Sequence, residues 1–264
     1  MAVLGQHLET QRKHNPGLLC PETSLDVSHP LISVITVCMN SSETIERTIK
    51  SVAVQTYPSI ELIVIDGGST DGTLTILERY ATAIAHLVVG SDNGIYDAMN
   101  KGVALATGAW IHILNSDDFY ADTHVLEHAV DCLNPQRVNY FQIWRQHKDG
   151  RRDLQDWSYS RWRLFVSAFL PHPGLIVSRT QYDIVGFYDT SYRVAADHDM
   201  ILRLTARWQG LKHDFPLTVM DQGGISAVRL DLSLNEFCIV TKRHGLPRLI
   251  AYLVTKFKKL WWRT

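Results

Sequence analysis

The sequence predicts an α/β fold with a mostly parallel sheet and helices on both faces of that sheet. Over residues 31–122, short apolar, β-branched segments alternate with segments whose apolar residues recur at helical spacing. Polar turns rich in Gly, Asn and Asp follow the apolar segments. Strands that alternate with helices form parallel sheets with right-handed crossovers, and such sheets bind ligands beyond the carboxyl ends of their strands. The polar turns are therefore expected to meet at the binding edge.

The first strand is predicted over residues 31–39, because the run LISVITVCM is typical of a strand buried on both faces. Asn40 and Glu43 resemble a capping pair at the start of a helix. The apolar face of that helix is predicted to contain Ile45, Ile49, Val52 and Ala53.

The same unit is predicted to repeat along the chain. Further strands are expected at residues 61–66, 86–90 and 109–114, with helices from about residues 73 and 96. Gly108 is expected to end the later helix in a left-handed cap. Beyond Asp122 the pattern becomes irregular, with helices predicted near residues 124–133 and 197–208 around an aromatic and basic stretch at 140–169.

Three regions follow from this pattern. Residues 1–30 are polar and are expected to be an N-terminal extension. Residues 31–230 are predicted to form the main domain, with halves at about 31–122 and 123–230. Residues 231–264 are predicted to be a basic amphipathic helical tail.

Composition excludes some classes of protein. The chain has 264 residues, of which 45% are hydrophobic, so it can bury a full core. A formal net charge of -1 argues against a nucleic-acid-binding protein. The four cysteines include no C-x-x-C pair, which predicts neither a zinc site nor a compact disulfide framework. Because no signal sequence or membrane-spanning run is evident, the cytoplasm is the expected location.

The tail indicates contact with an anionic membrane at the inner face of the cell. No acid occurs in residues 237–264. One predicted helical stripe is apolar: Leu246, Leu249, Ile250, Leu253, Phe257, Leu260 and Trp261. The other side is basic: Arg248, Lys256, Lys258, Lys259 and Arg263. Such helices lie in the membrane plane. The alternative is a stripe that packs on the domain, and Trp262 fits neither account.

The motifs indicate how a nucleotide would be held. G-x-G-x-x-G and the P-loop motif are both absent, which excludes two common phosphate-binding loops. Asp66 can accept hydrogen bonds from a base imide or a ribose, and Gly67 and Gly68 allow the backbone to approach a ligand closely. The alternative is an Asp-Gly turn in which Asp71 caps the next helix.

A second polar cluster, Asn115-Ser116-Asp117-Asp118, follows the fourth strand. Two acids at the end of a buried strand are costly unless a cation joins them. Mg²⁺ or Mn²⁺ prefers carboxylate oxygens and can bridge to a diphosphate, so Asp117 with Asp118 is predicted to bind a divalent metal. The alternative is a solvated turn with Asp118 as a cap.

These segments resemble a known family. VITVCMNSSETIERTIKSVAVQTYPSIELIVIDGGSTDGT and GIYDAMNKGVALATGAWIHILNSDD are similar to the donor half of family-two inverting glycosyltransferases with the GT-A fold, over about 90 residues. The resemblance implies a nucleotide-diphosphate sugar donor and bacterial exopolysaccharide, capsule or O-antigen synthesis. It implies a donor pocket of Thr36, Asn40, Asp66, Asn100, Asn115 and Asp117, with Asp117 as the last acid of D-x-D. Two departures are Gly67, where the family often has a second acid, and Asn115, which replaces the first acid of D-x-D.

The second half resembles the family at AADHDMILRL, residues 195–204. The resemblance implies that Asp197 is the general base for the hydroxyl of a glycan or lipid-linked saccharide acceptor. Asp199 is the competing base, although its spacing from Arg203 fits a surface ion pair. The alternatives to a glycosyltransferase are an inactive nucleotide-sugar or glycan-binding module and a sugar nucleotidyltransferase.

Overall fold

In the computed structural model, residues 29–166, 170–221 and 230–261 are described. The strands are β1 Ile32–Cys38, β2 Ile60–Asp66, β3 His86–Val89, β4 Trp110–Ile113, β5 Phe119–Tyr120, β6 Val138–Gln146, β7 Arg152–Gln155, β8 Leu175–Ser178 and β9 Gly210–Asp221. The helices are α1 Ile45–Ala53, α2 Thr73–Arg79, α3 Ile95–Leu105, α4 Val125–Val130, α5 Arg161–Val166, α6 Arg179–Val185, α7 Ala196–Arg207, α8 Leu230–Arg243 and α9 Arg248–Trp261. The predicted extension at residues 1–30 lies almost wholly outside the described residues.

The first four strands form the parallel part of the sheet, as predicted. β1 pairs in parallel with β2 and β4, and β2 pairs in parallel with β3. Cys38 and Asp66 are register partners, so β1 and β2 end at the same edge. Side chains of α1 and α2 pack on one face of these strands, and side chains of α3 and α7 pack on the other. The predicted helices on both faces are confirmed.

The strand predicted at residues 86–90 is confirmed as β3, and its side chains are exposed. Leu87, Val88 and Val89 are all exposed, because β3 is the outermost strand of the sheet and pairs only with β2 among the described strands. An apolar run identifies a strand without saying whether other elements cover it.

The second half of the chain extends the same sheet. Across the described residues the strand order is β3-β2-β1-β4-β8-β6-β9-β5, with β7 paired to β6. β8 is antiparallel to β4 and β6, whereas β6 and β9 are parallel. One sheet therefore joins the two predicted halves, and its two longest pairs, β1 with β2 and β6 with β9, are parallel.

Gly108 is not the left-handed cap that the sequence predicts. α3 ends at Leu105, and the φ angle of Gly108 is not positive. A Cβ built on Gly108 would lie 2.7 Å from the carbonyl oxygen of Leu31 and 2.6 Å from the hydroxyl of Ser33. Glycine is needed here because two backbone segments pass in close contact.

The predicted helical tail contains two helices, α8 and α9. The chain turns at Gly245, whose φ is +101°, and Pro247 precedes α9. α8 packs against α7, and α9 packs against α8 and α5. Trp262 and Arg263, which the tail prediction used, lie outside the described residues. Within the described ranges no helix is long and apolar enough to cross a membrane.

Candidate active site

The turns after β1, β2 and β4 meet at the carboxyl edge of the parallel strands. The hydroxyls of Ser41 and Ser116 are 2.9 Å apart, which joins the first turn to the polar cluster after β4. The backbone N–H of Asn40 donates to the hydroxyl of Ser69 at 2.8 Å, and that of Ser41 donates to the hydroxyl of Thr73 at 2.8 Å. The sequence prediction that these turns lie together is confirmed.

Asn40 holds two turns together and does not cap α1. Its φ is +51°, and its Oδ1 accepts a hydrogen bond from the backbone N–H of Thr70 at 2.9 Å. α1 begins only at Ile45, after Thr44. The capping prediction is wrong because the left-handed backbone of Asn40 directs its side chain to the turn after β2.

Asp66 shapes the turn that follows it. Its buried carboxylate accepts hydrogen bonds from the N–H groups of Gly68 at 3.0 Å and Ser69 at 2.8 Å, and from the hydroxyl of Ser69 at 2.5 Å. Asp71 accepts from the N–H of Thr73 at 2.9 Å, at the start of α2. These bonds match the Asp-Gly turn that was the alternative to a nucleotide-binding Asp66.

Asp92 lies beside Gly67, where the family often has an acid. A Cβ built on Gly67 would lie only 2.6 Å from Oδ2 of Asp92, so the carboxylate reaches the space that a side chain at 67 would take. The sequence prediction missed Asp92, whose only signal was its place in the polar turn Ser91-Asp92-Asn93-Gly94 before α3.

The cluster after β4 is a tight turn. The amide of Asn115 donates to Oδ2 of Asp118 at 3.1 Å, and the N–H of Asp118 donates to the carbonyl of Asn115 at 3.1 Å. The hydroxyl of Thr48 on α1 donates to the carbonyls of Ser116 at 2.9 Å and Asp118 at 2.8 Å. Hydrogen bonds within the turn thus keep the Asp118 side chain buried, while Asp117 remains partly exposed.

This cluster carries excess negative charge. Burial, and then the charge of Asp117, raises the pKa of Asp118 well above its ordinary value. Burial raises the pKa of Asp117, and the neighbouring Asp221 adds to this while Arg47 opposes it. Oδ1 of Asp118 and Oδ1 of Asn115 are buried without a hydrogen-bond partner among the described residues. Unpartnered oxygens beside repelling carboxylates fit a hard cation.

The cluster would bind such a cation only with help from other ligands. The described residues contain no group of three or more His, Cys, Asp and Glu side chains placed to hold a metal. Asp117, with Asp118 behind it, can supply one or two carboxylates, and Mg²⁺ commonly completes its shell with water and substrate phosphates.

Arg47 and Asp221 belong to this cluster, although the sequence prediction omitted both. Arg47 donates to the carbonyl of Asp117 at 2.8 Å and to the carboxylate of Asp221 at 2.6 Å. Gln146 donates to the other oxygen of Asp221 at 3.0 Å. Arg47 lies on the polar face of α1 and Asp221 at the end of β9, so no local pattern connects them.

Asp197 lies in the first turn of α7. Its Oδ1 accepts hydrogen bonds from the hydroxyl of Tyr96 at 3.3 Å and from the N–H of His198 at 2.7 Å. Burial raises the pKa of Asp197, and these hydrogen bonds oppose the rise. A partly exposed carboxylate with a raised pKa is suited to accept a proton.

Asp199 forms an ion pair with Arg203, as the spacing predicts, but the pair is buried instead of at the surface. The two carboxylate oxygens contact Arg203 at 2.8 Å and His244 at 2.8 Å. Although burial raises the pKa of Asp199, the hydrogen bond from His244 and the charge of Arg203 hold it below its ordinary value. His198 is buried too, and burial lowers its pKa to about 3. Of these three side chains, Asp197 is the one that is partly exposed, whereas Asp199 and His198 are buried.

Asn100 and Thr36 do not present polar groups to the turns. The amide of Asn100 donates to the carbonyl of Tyr188 at 2.9 Å and accepts from its N–H at 2.9 Å. The ring of Tyr188 stacks on the ring of Tyr96, with centroids 5.8 Å apart. Asn100 therefore holds Tyr188, which in turn packs against Tyr96, the residue that contacts Asp197. Thr36 is fully buried within β1, and its hydroxyl has no hydrogen-bond partner among the described residues.

Comparison with known sequences identifies the family of this chain. The family description "Glycosyl transferase family 2" matches residues 33–194. A PGL/p-HBAD biosynthesis glycosyltransferase of Mycobacterium bovis is 28% identical over 247 residues, covering 88% of this chain and 92% of the relative. An uncharacterized glycosyltransferase of Mycobacterium tuberculosis is 33% identical over 182 residues, covering 67% of this chain and 69% of the relative.

Solved structures show the same fold. TarS of S. aureus superposes with a TM-score of 0.64 at 17% identity, over 85% of this chain and 42% of TarS. The mannosyltransferase PcManGT from Pyrobaculum calidifontis, solved in complex with GDP-Man and Mn2+, has a TM-score of 0.63 at 19% identity, over 86% of this chain and 70% of PcManGT. This chain therefore belongs to glycosyl transferase family 2 and is a glycosyltransferase with the GT-A fold.

Proposed function

We propose that this chain is an inverting glycosyltransferase that moves a sugar from a nucleotide-diphosphate sugar to a hydroxyl of a glycan or lipid-linked saccharide. One observation carries the proposal. The segment from Asp92 to Tyr96 contacts both parts of the site, since Asp92 lies beside Gly67 and Tyr96 donates to Asp197. A short segment thus connects the turns at the donor edge with the candidate base.

The donor side has the features that a nucleotide-diphosphate sugar needs. Asp92 offers a carboxylate to the hydroxyls or imide of the nucleoside, next to backbone that lacks a side chain at Gly67. Asp117, supported by Asp118 and Asn115, would hold a Mg²⁺ or Mn²⁺ ion. That ion would neutralise the charge of the departing diphosphate. The structures of TarS with UDP-GlcNAc and of PcManGT with GDP-Man and Mn2+ support a donor of this class.

The acceptor side needs a base on the face of the sugar opposite the leaving group. Asp197 takes the proton of the acceptor hydroxyl while the oxygen of that hydroxyl forms the new bond to the anomeric carbon. The bond from that carbon to the diphosphate breaks in the same step, so the nucleoside diphosphate leaves and the configuration inverts. We retain bacterial exopolysaccharide, capsule or O-antigen synthesis on the cytoplasmic side of the membrane as the setting.

A screen of nucleotide sugars tests this function. We expect one donor to bind in the presence of Mg²⁺ or Mn²⁺ and to be hydrolysed slowly, with release of nucleoside diphosphate measured by chromatography. Asp92→Ala should weaken donor binding by about tenfold, the cost of one charge-assisted hydrogen bond. Asp131→Ala, an exposed acid after α4, is the control and should change nothing.

Other results would support the alternatives. Donor binding without release of nucleoside diphosphate in the presence of any acceptor would indicate an inactive nucleotide-sugar-binding module. Release of pyrophosphate from a nucleoside triphosphate and a sugar phosphate would indicate a sugar nucleotidyltransferase.

The exposed face of α9 supports contact with an anionic membrane. Leu249 and Leu253 are 69% and 54% exposed, and they lie one helical turn apart. Arg248 and Lys256 on the same helix are exposed and basic. The other basic residues face inward or are paired, since Lys258 lies 3.6 Å from the centre of the Phe237 ring and Lys259 pairs with Asp231. The face combines exposed leucines with positive charge, which anionic lipid surfaces attract.

Point variants test this contact better than truncation, because Leu246 and Ala251 are buried against the domain. We expect Leu249→Gln with Leu253→Gln to reduce partitioning onto vesicles of anionic phospholipid at least tenfold, since each leucine contributes about 1.5–3 kcal/mol when buried. Phe187→Gln, another exposed apolar residue, is the control. Equal partitioning of both variants and the wild type would remove the membrane role.

A further inference from the structure

A carboxylate from α8 caps the helix that carries the candidate base. Glu236 is buried, and its two oxygens accept hydrogen bonds from three successive backbone N–H groups. The donors are Arg193 at 2.9 and 3.1 Å, Val194 at 2.9 Å and Ala195 at 3.1 Å. Ala195 is the N-cap residue of α7 and cannot cap the helix with its own side chain. Glu236 thus satisfies the N–H group of the N-cap residue of α7 and those of the two residues before it.

The same part of the chain also holds the residues after Asp197. The ring of Phe237 stacks on His198, with centroids 4.9 Å apart. His244, just beyond α8, contacts the carboxylate of Asp199 at 2.8 Å. α8 and its following turn therefore contact the backbone before Asp197 and the side chains of the two residues after it, whereas Asp197 itself stays partly exposed to the site.

We propose that Glu236 is a positioning residue for the glycosyl-transfer reaction, which holds the first turn of α7 so that Asp197 faces the acceptor hydroxyl. This inference rests on the proposed function in one respect, namely that Asp197 is the base. Misplacement of a reacting group by about 1 Å can lower a rate by about 10²-fold, so the backbone contacts of Glu236 are sufficient to affect turnover.

The charge of Glu236 also affects Asp197, by raising its pKa. After the larger effect of burial, the negative charge of Glu236 raises the pKa of Asp197. The other titratable groups that face Asp197 are Tyr96 from α3 and Tyr188 from the segment before α7. Removal of the Glu236 charge should lower the pKa of Asp197, because a like charge that disfavours its ionised form is gone.

Glu236→Gln tests the proposal in the full-length protein. The amide nitrogen cannot accept a hydrogen bond. If the amide oxygen takes the position of the oxygen that Arg193, Val194 and Ala195 share, the nitrogen faces the N–H of Arg193 as a second donor, and in the other orientation Val194 and Ala195 lose their acceptor. We expect turnover to fall about 10- to 100-fold with donor KM changed less than threefold. The acid limb of the pH profile should move to lower pH. The ¹³C-carboxyl titration of Asp197, followed by NMR, should move with it.

Two further variants separate positioning from stability. Leu234→Ala removes a buried side chain from the same helix without a change of charge, and it should lower the melting temperature while the pH profile stays in place. Glu236→Asp keeps the charge but shortens its reach. The acid limb of its pH profile should stay close to that of the wild type, with an intermediate loss of turnover. This variant replaces Glu236→Gln as the test if Glu236→Gln does not fold.

The results distinguish this inference from the proposed function. If Glu236→Gln behaves like Leu234→Ala, with a lower melting temperature and unchanged turnover and Asp197 titration, Glu236 only stabilises the fold and the proposal is overturned. If Asp197→Asn retains full transfer, the assignment of the base fails instead. Even if Asp197 is not the base, its titration in Glu236→Gln still measures how far the charge of Glu236 raises the pKa of Asp197.

Discussion

Asp117→Ala should lower glycosyl transfer by about 10³-fold or more while the protein stays folded. Stabilisation of a leaving diphosphate by a metal is worth several kcal/mol, and each 1.4 kcal/mol corresponds to a factor of ten. The fold should tolerate the change. Burial and the charge of Asp221 raise the pKa of Asp117, so folding disfavours its ionised form. A group with a raised pKa loses its stabilising contribution as the pH rises, so the variant should melt no earlier than the wild type at pH 7.

Metal binding can be measured without activity. We expect Mn²⁺ with a nucleoside diphosphate to raise the melting temperature of the wild type and of Asp131→Ala, but not that of Asp117→Ala. Undiminished activity of the wild type in a chelator, or full activity of Asp117→Ala, would remove the metal role of Asp117.

Asp197→Asn should lower turnover by about 10²- to 10⁴-fold, the usual contribution of a general base, and should leave donor binding intact. Asparagine keeps the shape of the side chain and can still accept from Tyr96 and His198, but it cannot take a proton. In the wild type, activity should rise with pH through the pKa of Asp197, which burial holds above its ordinary value. Steady-state kinetics and donor titration measure the two effects separately.

Asp199→Asn is the matched comparison on the same helix. Its carboxylate pairs with Arg203 and His244, which lower its pKa against the effect of burial, so its stabilising contribution is present above the unfolded pKa and is lost as the pH falls. Removal of one partner of a buried ion pair costs about 3–5 kcal/mol. We therefore expect a lower melting temperature at pH 7 with a smaller loss of turnover. A nearly normal Asp197→Asn beside an inactive, folded Asp199→Asn would exchange the two assignments.

The sequence by itself determined the parallel part of the fold and the position of its turns. The apolar, β-branched runs of β1, β2 and β4 are typical of buried parallel strands. The carboxyl ends of neighbouring parallel strands lie at the same edge of the sheet. For this reason the cluster from Asn115 to Asp118 was placed correctly beside the turn after β1. The segment that contains the candidate base Asp197 was predicted only from its resemblance to the family.

Only the tertiary structure decided which side chains are free to act. Asp66 and Asn100 lie in strong motifs, yet their polar atoms are used within the protein. One oxygen of Asp92 accepts from the N–H of Gly94, and the other reaches the space beside Gly67. Arg47 and Asp221 are 174 positions apart in the chain, and Glu236 is 41 positions from Ala195. Such pairs leave no periodic signal, because strand order and helix packing set them, and neither can be read from neighbouring residues.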